Sequence, residues 1–182
     1  MTQKMNASRF GALATIVFNP NWPGYGKRNE GRNGNTRYAH VAKKYLIVCR
    51  DDERDLPEWE WGCAFDRACT LAINLGLPLP SPEDSTLRLL HYEPGSSFNA
   101  HQDFCLFTVN LFRNFPNEGL PDLEVHYGML AKFYGYEPTT HSVTPQDRHQ
   151  YSAVFFAMPP LDMKLPNGET VADFVARQKE YG

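Results

Sequence analysis

The sequence predicts a mainly β domain with flanking helices, a sandwich or jelly-roll barrel. Short runs of β-branched and apolar residues recur along the chain, each closed by turn residues. A single long stripe of period 3.6, over 57–75, marks a helix ahead of most of those runs. The composition, 42% hydrophobic and 21% charged over 182 residues, fits one soluble globular domain large enough to bury a core. Within that domain, 1–56 is expected to carry N-terminal strands and a Gly/Asn-rich loop. The remainder, 57–182, is expected to carry a helix, the β core and a C-terminal helix.

The first expected strand is Ala12–Phe18, an apolar and β-branched run. Asn19 to Asn35 follows as a long Gly/Asn/Pro loop holding Trp22 and Tyr25, a length that marks function or mobility. Tyr45–Cys49 is the second strand. The helix from Pro57 to Leu75 places Trp61, Ala64, Phe65, Ala68, Leu71, Ala72 and Leu75 on one stripe, read as a core face. Asp55 and Glu58 form a capping-box pattern at its start, and Gly76 followed by Pro78 ends it. Leu87–Tyr92, Leu106–Phe112 and Tyr151–Ala157 are further strands, the first closed by Glu93-Pro94-Gly95 and the last by Pro159-Pro160. Val171–Lys179 reads as a helix with Val171, Phe174 and Val175 inward and Thr170 as N-cap.

Composition also narrows the functional classes. No run of eighteen apolar residues exists, so no transmembrane helix and no membrane partner are expected. Met1–Phe10 lacks the apolar stretch of a secretory signal. The four cysteines, at 49, 63, 69 and 105, form no Cys-x-x-Cys pair, which argues against a disulfide framework or structural zinc and for a reducing, cytoplasmic setting. The net charge of -3 divides into +7 over residues 1–44 and -10 over the rest. Mutual attraction of the two parts in the fold is the favoured reading. A basic surface for nucleic acid is the minority one.

His101-Gln102-Asp103 is the central chemical feature. In a strand, residues i and i+2 share a face, so this imidazole and carboxylate can reach one ion. A third ligand would complete a two-histidine, one-carboxylate triad, the open-sided set of non-haem Fe(II) oxygenases, with positions left for dioxygen and substrate. His141, 38 residues beyond Asp103 and followed closely by Val143, is the best candidate. His126 is the alternative.

The surrounding motifs resemble a family. Leu87-Arg88-Leu89-Leu90-His91-Tyr92-Glu93-Pro94-Gly95, then Ala100-His101-Gln102-Asp103, then Leu106-Phe107-Thr108 are similar to the core of the isopenicillin N synthase-like group of Fe(II)/2-oxoglutarate oxygenases. His141-Ser142-Val143 resembles that group's distal His-x-Val. Ser152, eleven residues on, matches the serine of its Arg-x-Ser pair, and Phe155-Phe156 its paired aromatics. Asn74-Leu75-Gly76-Leu77 and Asn167-Gly168-Glu169-Thr170-Val171 resemble the helix end before the barrel and the chain's close. The likeness covers about 57–182.

The resemblance implies a double-stranded β-helix (jelly roll) with Fe(II) at one open end, held by His101, Asp103 and His141. It further implies 2-oxoglutarate as cosubstrate, dioxygen as oxidant and a small or medium-sized organic substrate. Tyr92 and Ser152 are the matching cosubstrate contacts. Two departures stand out. The arginine of Arg-x-Ser, which makes a charge-assisted contact with the distal carboxylate, falls on Gln150. Arg148, two residues earlier, would share Gln150's face in a strand, and Arg88 or Lys132 are other basic residues able to reach in. The Asp103–His141 segment is also shorter than usual by about a hairpin, which trims the barrel. Gln150 keeps open a 2-oxoglutarate-independent Fe(II) oxidase of the isopenicillin N synthase type. The short segment keeps open a β-helix used only for binding or structure. Arg113 and the Tyr25 loop are candidates for a substrate entrance.

Overall fold

A computed structural model describes residues 43–48, 58–113 and 125–181. The expected strand at Ala12–Phe18, the loop at Asn19–Asn35 and Asp55 of the capping pattern lie outside them. Seven strands and two α-helices are described: β1 (Lys43–Val48), α1 (Glu58–Leu75), β2 (Thr86–Tyr92), β3 (Phe98–His101), β4 (Phe107–Arg113), β5 (Val125–Tyr127), β6 (His141–Val143), β7 (Gln150–Ala157) and α2 (Val171–Tyr181). A 3₁₀ turn, Met129–Tyr134, follows β5.

The strands form two antiparallel sheets. The larger runs β1-β2-β7-β4-β5, and the smaller pairs β3 with β6. β7 lies between β2 and β4 and is distant in sequence from both, as in a jelly roll rather than a meander.

Alternation along β7 explains how one sheet serves two layers. Ala153, Phe155 and Ala157 join the main core with Leu87 of β2 and Phe107 and Val109 of β4. That face is covered by α1, whose Ala64, Ala68 and Ala72 are almost wholly buried. Methyl side chains at i, i+4 and i+8 let the helix axis approach the sheet closely. Trp61 fills the space at the helix start, stacked on Phe65 at 4.9 Å and edge-on to Phe155 at 6.0 Å. The helix stops where Gly76 adopts φ +65°, a conformation open to glycine, and the Leu77 amide donates back to the Ala72 carbonyl at 2.9 Å. The stripe expected from sequence is the stripe that packs.

The other face of the larger sheet looks toward the smaller one. Leu90 and Tyr92 of β2 meet Val154 of β7, with Phe98 of β3, Val143 of β6 and Phe156 packed against them. This inner layer is the barrel interior. On α2, Val171 and Phe174 are buried, and Thr170 Oγ1 accepts the Asp173 amide at 3.1 Å as the expected N-cap.

Candidate metal centre

The β3–β6 ladder sets two histidines face to face. Phe98 is paired with Val143 and His101 with His141, and β3 carries an extra residue between the two pairs. In a regular strand Phe98 and His101 would point to opposite faces. The bulge leaves Asn99 and Ala100 exposed and turns His101 onto the same side as Phe98. The Phe98 ring meets His101 edge-on at 4.5 Å, and the two imidazoles lie 4.3 Å apart between centroids.

Asp103 reaches the same point by a different route from the one strand alternation predicts. β3 ends at His101, so Asp103 sits in the following loop. That loop is clamped by backbone bonds. The Met129 amide donates to the Asp103 carbonyl at 2.8 Å, Gly128 to Leu106 at 2.9 Å and Leu130 to Cys105 at 3.2 Å. Gly128 is essential to the approach: a Cβ there would stand 2.0 Å from the Cys105 carbonyl oxygen and 3.1 Å from that of Asp103.

The carboxylate lies between the two imidazoles. Asp103 Oδ1 is 3.7 Å from His101 Nε2, and Oδ2 is 3.4 Å from His141 Nε2. One donor atom from each of the three half-buried residues lies within 4.8 Å of the other two. The other ring nitrogens are also committed. His101 Nδ1 donates to the Asn99 carbonyl at 2.8 Å and His141 Nδ1 to the Thr139 carbonyl at 3.1 Å. A carbonyl only accepts, so each Nδ1 carries a proton, and each ring turns its Nε2 to the centre as the atom able to ligate. Two ring nitrogens and a carboxylate converging on one point can close round a single cation. The donor set fits a first-row divalent metal bound on one face.

His126 is close by but is not among the three converging groups. It is buried on β5 opposite Thr108, with its ring 4.9 Å from His141. Burial, with the charges of His141 and Arg113, pushes its imidazole down to about 4, so it is neutral near pH 7.

The cosubstrate candidates occupy different places. Tyr92 is buried in the inner layer directly opposite Gln150. Burial, and then the nearby Asp103 charge, raise its phenol pKa, so the hydroxyl stays protonated. Ser152 is buried on β7 opposite Leu90. Gln150 is only 1% exposed, and its amide donates to the Thr144 carbonyl at 3.1 Å, tying the β6–β7 connection to the sheet. Arg148 precedes β7 in an exposed bend, so strand alternation does not bring it onto Gln150's face. Arg88 faces the inner layer opposite Val154, its guanidinium 3.7 Å over the Phe156 ring. Lys132 is exposed on the 3₁₀ turn. Arg113 stands opposite Ser152 at the end of β4, while Tyr25 lies outside the described residues. Gly128 and the inward aim of Arg113 escape sequence reasoning. A glycine between Tyr127 and Met129 is the only local signal for the first, and a bulge leaves none for the second.

The larger sheet facing a smaller one is a jelly roll, and the smaller sheet with the loop after β3 carries the triad. Among solved structures, the chain is similar to a full-length Neurospora crassa protein in complex with alpha-KG, at 16% identity and TM-score 0.59, over 78% of this chain and 66% of that one. It is similar to a putative oxygenase from Shewanella oneidensis, at 19% identity and TM-score 0.56, over 78% and 71%. It also resembles JOX2 in complex with 2OG, Fe and JA, at 12% identity and TM-score 0.52, over 76% and 60%. The chain thus spans roughly two thirds of the length of these proteins. No protein-family model matches the chain, and no curated protein matches it. No helix among the described residues is long and apolar enough to cross a membrane.

Proposed function

We propose that this chain is a non-haem Fe(II) oxygenase that couples 2-oxoglutarate decarboxylation to oxidation of a small or medium-sized organic substrate. The observation that carries the reading is the convergence of His101, Asp103 and His141 with both Nδ1 atoms tied to backbone carbonyls. The Neurospora crassa protein and JOX2, which share the fold, were crystallised with alpha-KG and with 2OG and iron respectively.

His101 Nε2, His141 Nε2 and an Asp103 carboxylate oxygen would hold the metal, which when bound supplies one-electron chemistry toward dioxygen. The chain's own residues do the rest. The bulge in β3 and the Gly128 clamp fix the ligands before any metal arrives, which lowers the ordering cost of binding. Phe98, Val143, Leu90 and Val154 form an apolar wall beneath the triad that excludes water from a bound ligand. Tyr92 and Ser152, both buried on the inner face of the larger sheet, would be the hydroxyl donors to a bound 2-oxoacid.

The test is succinate formation from 2-oxoglutarate by the aerobic Fe(II) protein with candidate substrates, followed with and without a chelator. Iron-dependent succinate is expected. Its absence from a protein that binds Fe(II) contradicts the reading. A second reading keeps the iron and drops 2-oxoglutarate, and Gln150 favours it, since a neutral amide tied to Thr144 stands where the family carries arginine. Substrate-dependent oxygen consumption without 2-oxoglutarate is its signature.

A further inference from the structure

We propose that Arg113 is the carboxylate anchor of this site, taking from β4 the role that the family's arginine plays from the position of Gln150. The proposal rests on the reading of 2-oxoglutarate as cosubstrate. Its ligand is the distal carboxylate of a dicarboxylic 2-oxoacid.

The register of β4 on β7 carries the argument. Thr108 lies opposite Phe156 and Asn110 opposite Val154, so the even-numbered residues of β4 share the inner face with the even-numbered residues of β7. Continued without a break, that alternation would turn Arg113 toward the apolar face under α1. The ladder instead shifts between Asn110 and Phe112, and beyond the shift Arg113 is opposite Ser152. One extra residue reverses the facing of everything after it. Arg113 therefore joins Ser152 and Leu90 in a row across β4, β7 and β2 on the inner face. Directly opposed side chains have Cβ atoms about 5 Å apart, well within the reach of a guanidinium.

The chemistry favours this residue over its neighbours. A guanidinium grips a carboxylate with two parallel charge-assisted bonds, and a neighbouring serine hydroxyl adds a third donor. Gln150 lacks the charge, and its amide donates to the Thr144 carbonyl. Arg88 is the other inward-facing arginine on the ladder, one row away and stacked on Phe156. The two bulges act alike: one turns His101 to the metal centre, the other turns Arg113 onto the inner face.

The test titrates the anaerobic, Fe(II)-loaded full chain with 2-oxoglutarate and reads the metal-to-ligand charge-transfer band. A parallel titration uses 2-oxovalerate, which keeps the 2-oxoacid but lacks the distal carboxylate. Fe(II) stoichiometry is measured for every variant. Arg113→Gln is expected to weaken 2-oxoglutarate about 10–100-fold while leaving 2-oxovalerate unchanged, and Arg113→Lys to fall between. Unchanged 2-oxoglutarate affinity in Arg113→Gln overturns the anchor and leaves the functional reading standing, as does an equal loss for both ligands. A loss in Arg88→Gln with none in Arg113→Gln also overturns it. A wild-type protein that binds Fe(II) but shows no band overturns the functional reading and the anchor together.

Discussion

His101 and His141 are direct cross-strand partners, and each ties its Nδ1 to the carbonyl two residues before it, at Asn99 and Thr139. The same local device thus appears on both strands of one ladder, and it leaves both Nε2 atoms turned to Asp103. A pairing that served only the sheet would need neither the bulge nor the two Nδ1–carbonyl bonds.

Asp103 depends on a contact made from another part of the chain. Gly128→Ala would set a methyl group against the Cys105 carbonyl, so the clamp from 128–130 to 103–106 must open. The expected cost is about 1–3 kcal/mol of stability, as for other overpacked sites. Fe(II) affinity should fall as well, although all three ligands remain. Urea unfolding and an Fe(II) titration of the same variant check both effects. A variant with unaltered metal affinity would show that the clamp does not set the carboxylate.

Gln150 has a structural task whatever its part in binding. Gln150→Leu removes the amide that donates to the Thr144 carbonyl. A loss of about 0.5–1.5 kcal/mol is expected, measured by the urea midpoint, the net worth of an ordinary hydrogen bond. An unchanged midpoint would mean that water replaces the amide without penalty.

His126 makes the metal-free protein sensitive to mild acid. Its folded-state pKa is about 4, below the ordinary value of about 6.5. Between those values the unfolded chain binds more protons than the folded one. The stability this histidine contributes is therefore complete above about pH 6.5 and is lost as pH falls toward 4. The drop in urea midpoint from pH 7 to pH 4.5 should be smaller in His126→Gln than in the wild-type protein. Equal drops would place the acid sensitivity elsewhere.

The sequence discloses long periodic elements better than short ones. The stripe from Trp61 to Leu75, its stop at Gly76 and the Thr170 cap are legible because helix period and cap chemistry are local. The long strands β2, β4 and β7 are legible for the same reason. Of the short strands, β5 and β6 have three residues each, too few to show alternation, and the four-residue β3 carries a bulge that breaks it. The metal residues are legible as a motif, yet the expected cause differs from the real one. Strand alternation was to align His101 with Asp103, whereas a bulge aims the first and a clamped loop aims the second. Arg148 shows the converse: its alternation with Gln150 requires a strand, and the strand begins only at Gln150. Gly128 and Arg113 depend on partners distant in sequence, which no local pattern encodes.

The most direct test of the metal centre is anaerobic Fe(II) binding by equilibrium dialysis, with wild-type, His101→Ala, Asp103→Ala and His141→Ala proteins compared at equal concentration. The geometry predicts one Fe(II) per chain in the wild type, and affinity reduced by more than about a hundredfold in each variant, since supporting partners alone are worth about 10–100-fold. Wild-type affinity retained in folded His101→Ala and Asp103→Ala proteins would contradict it.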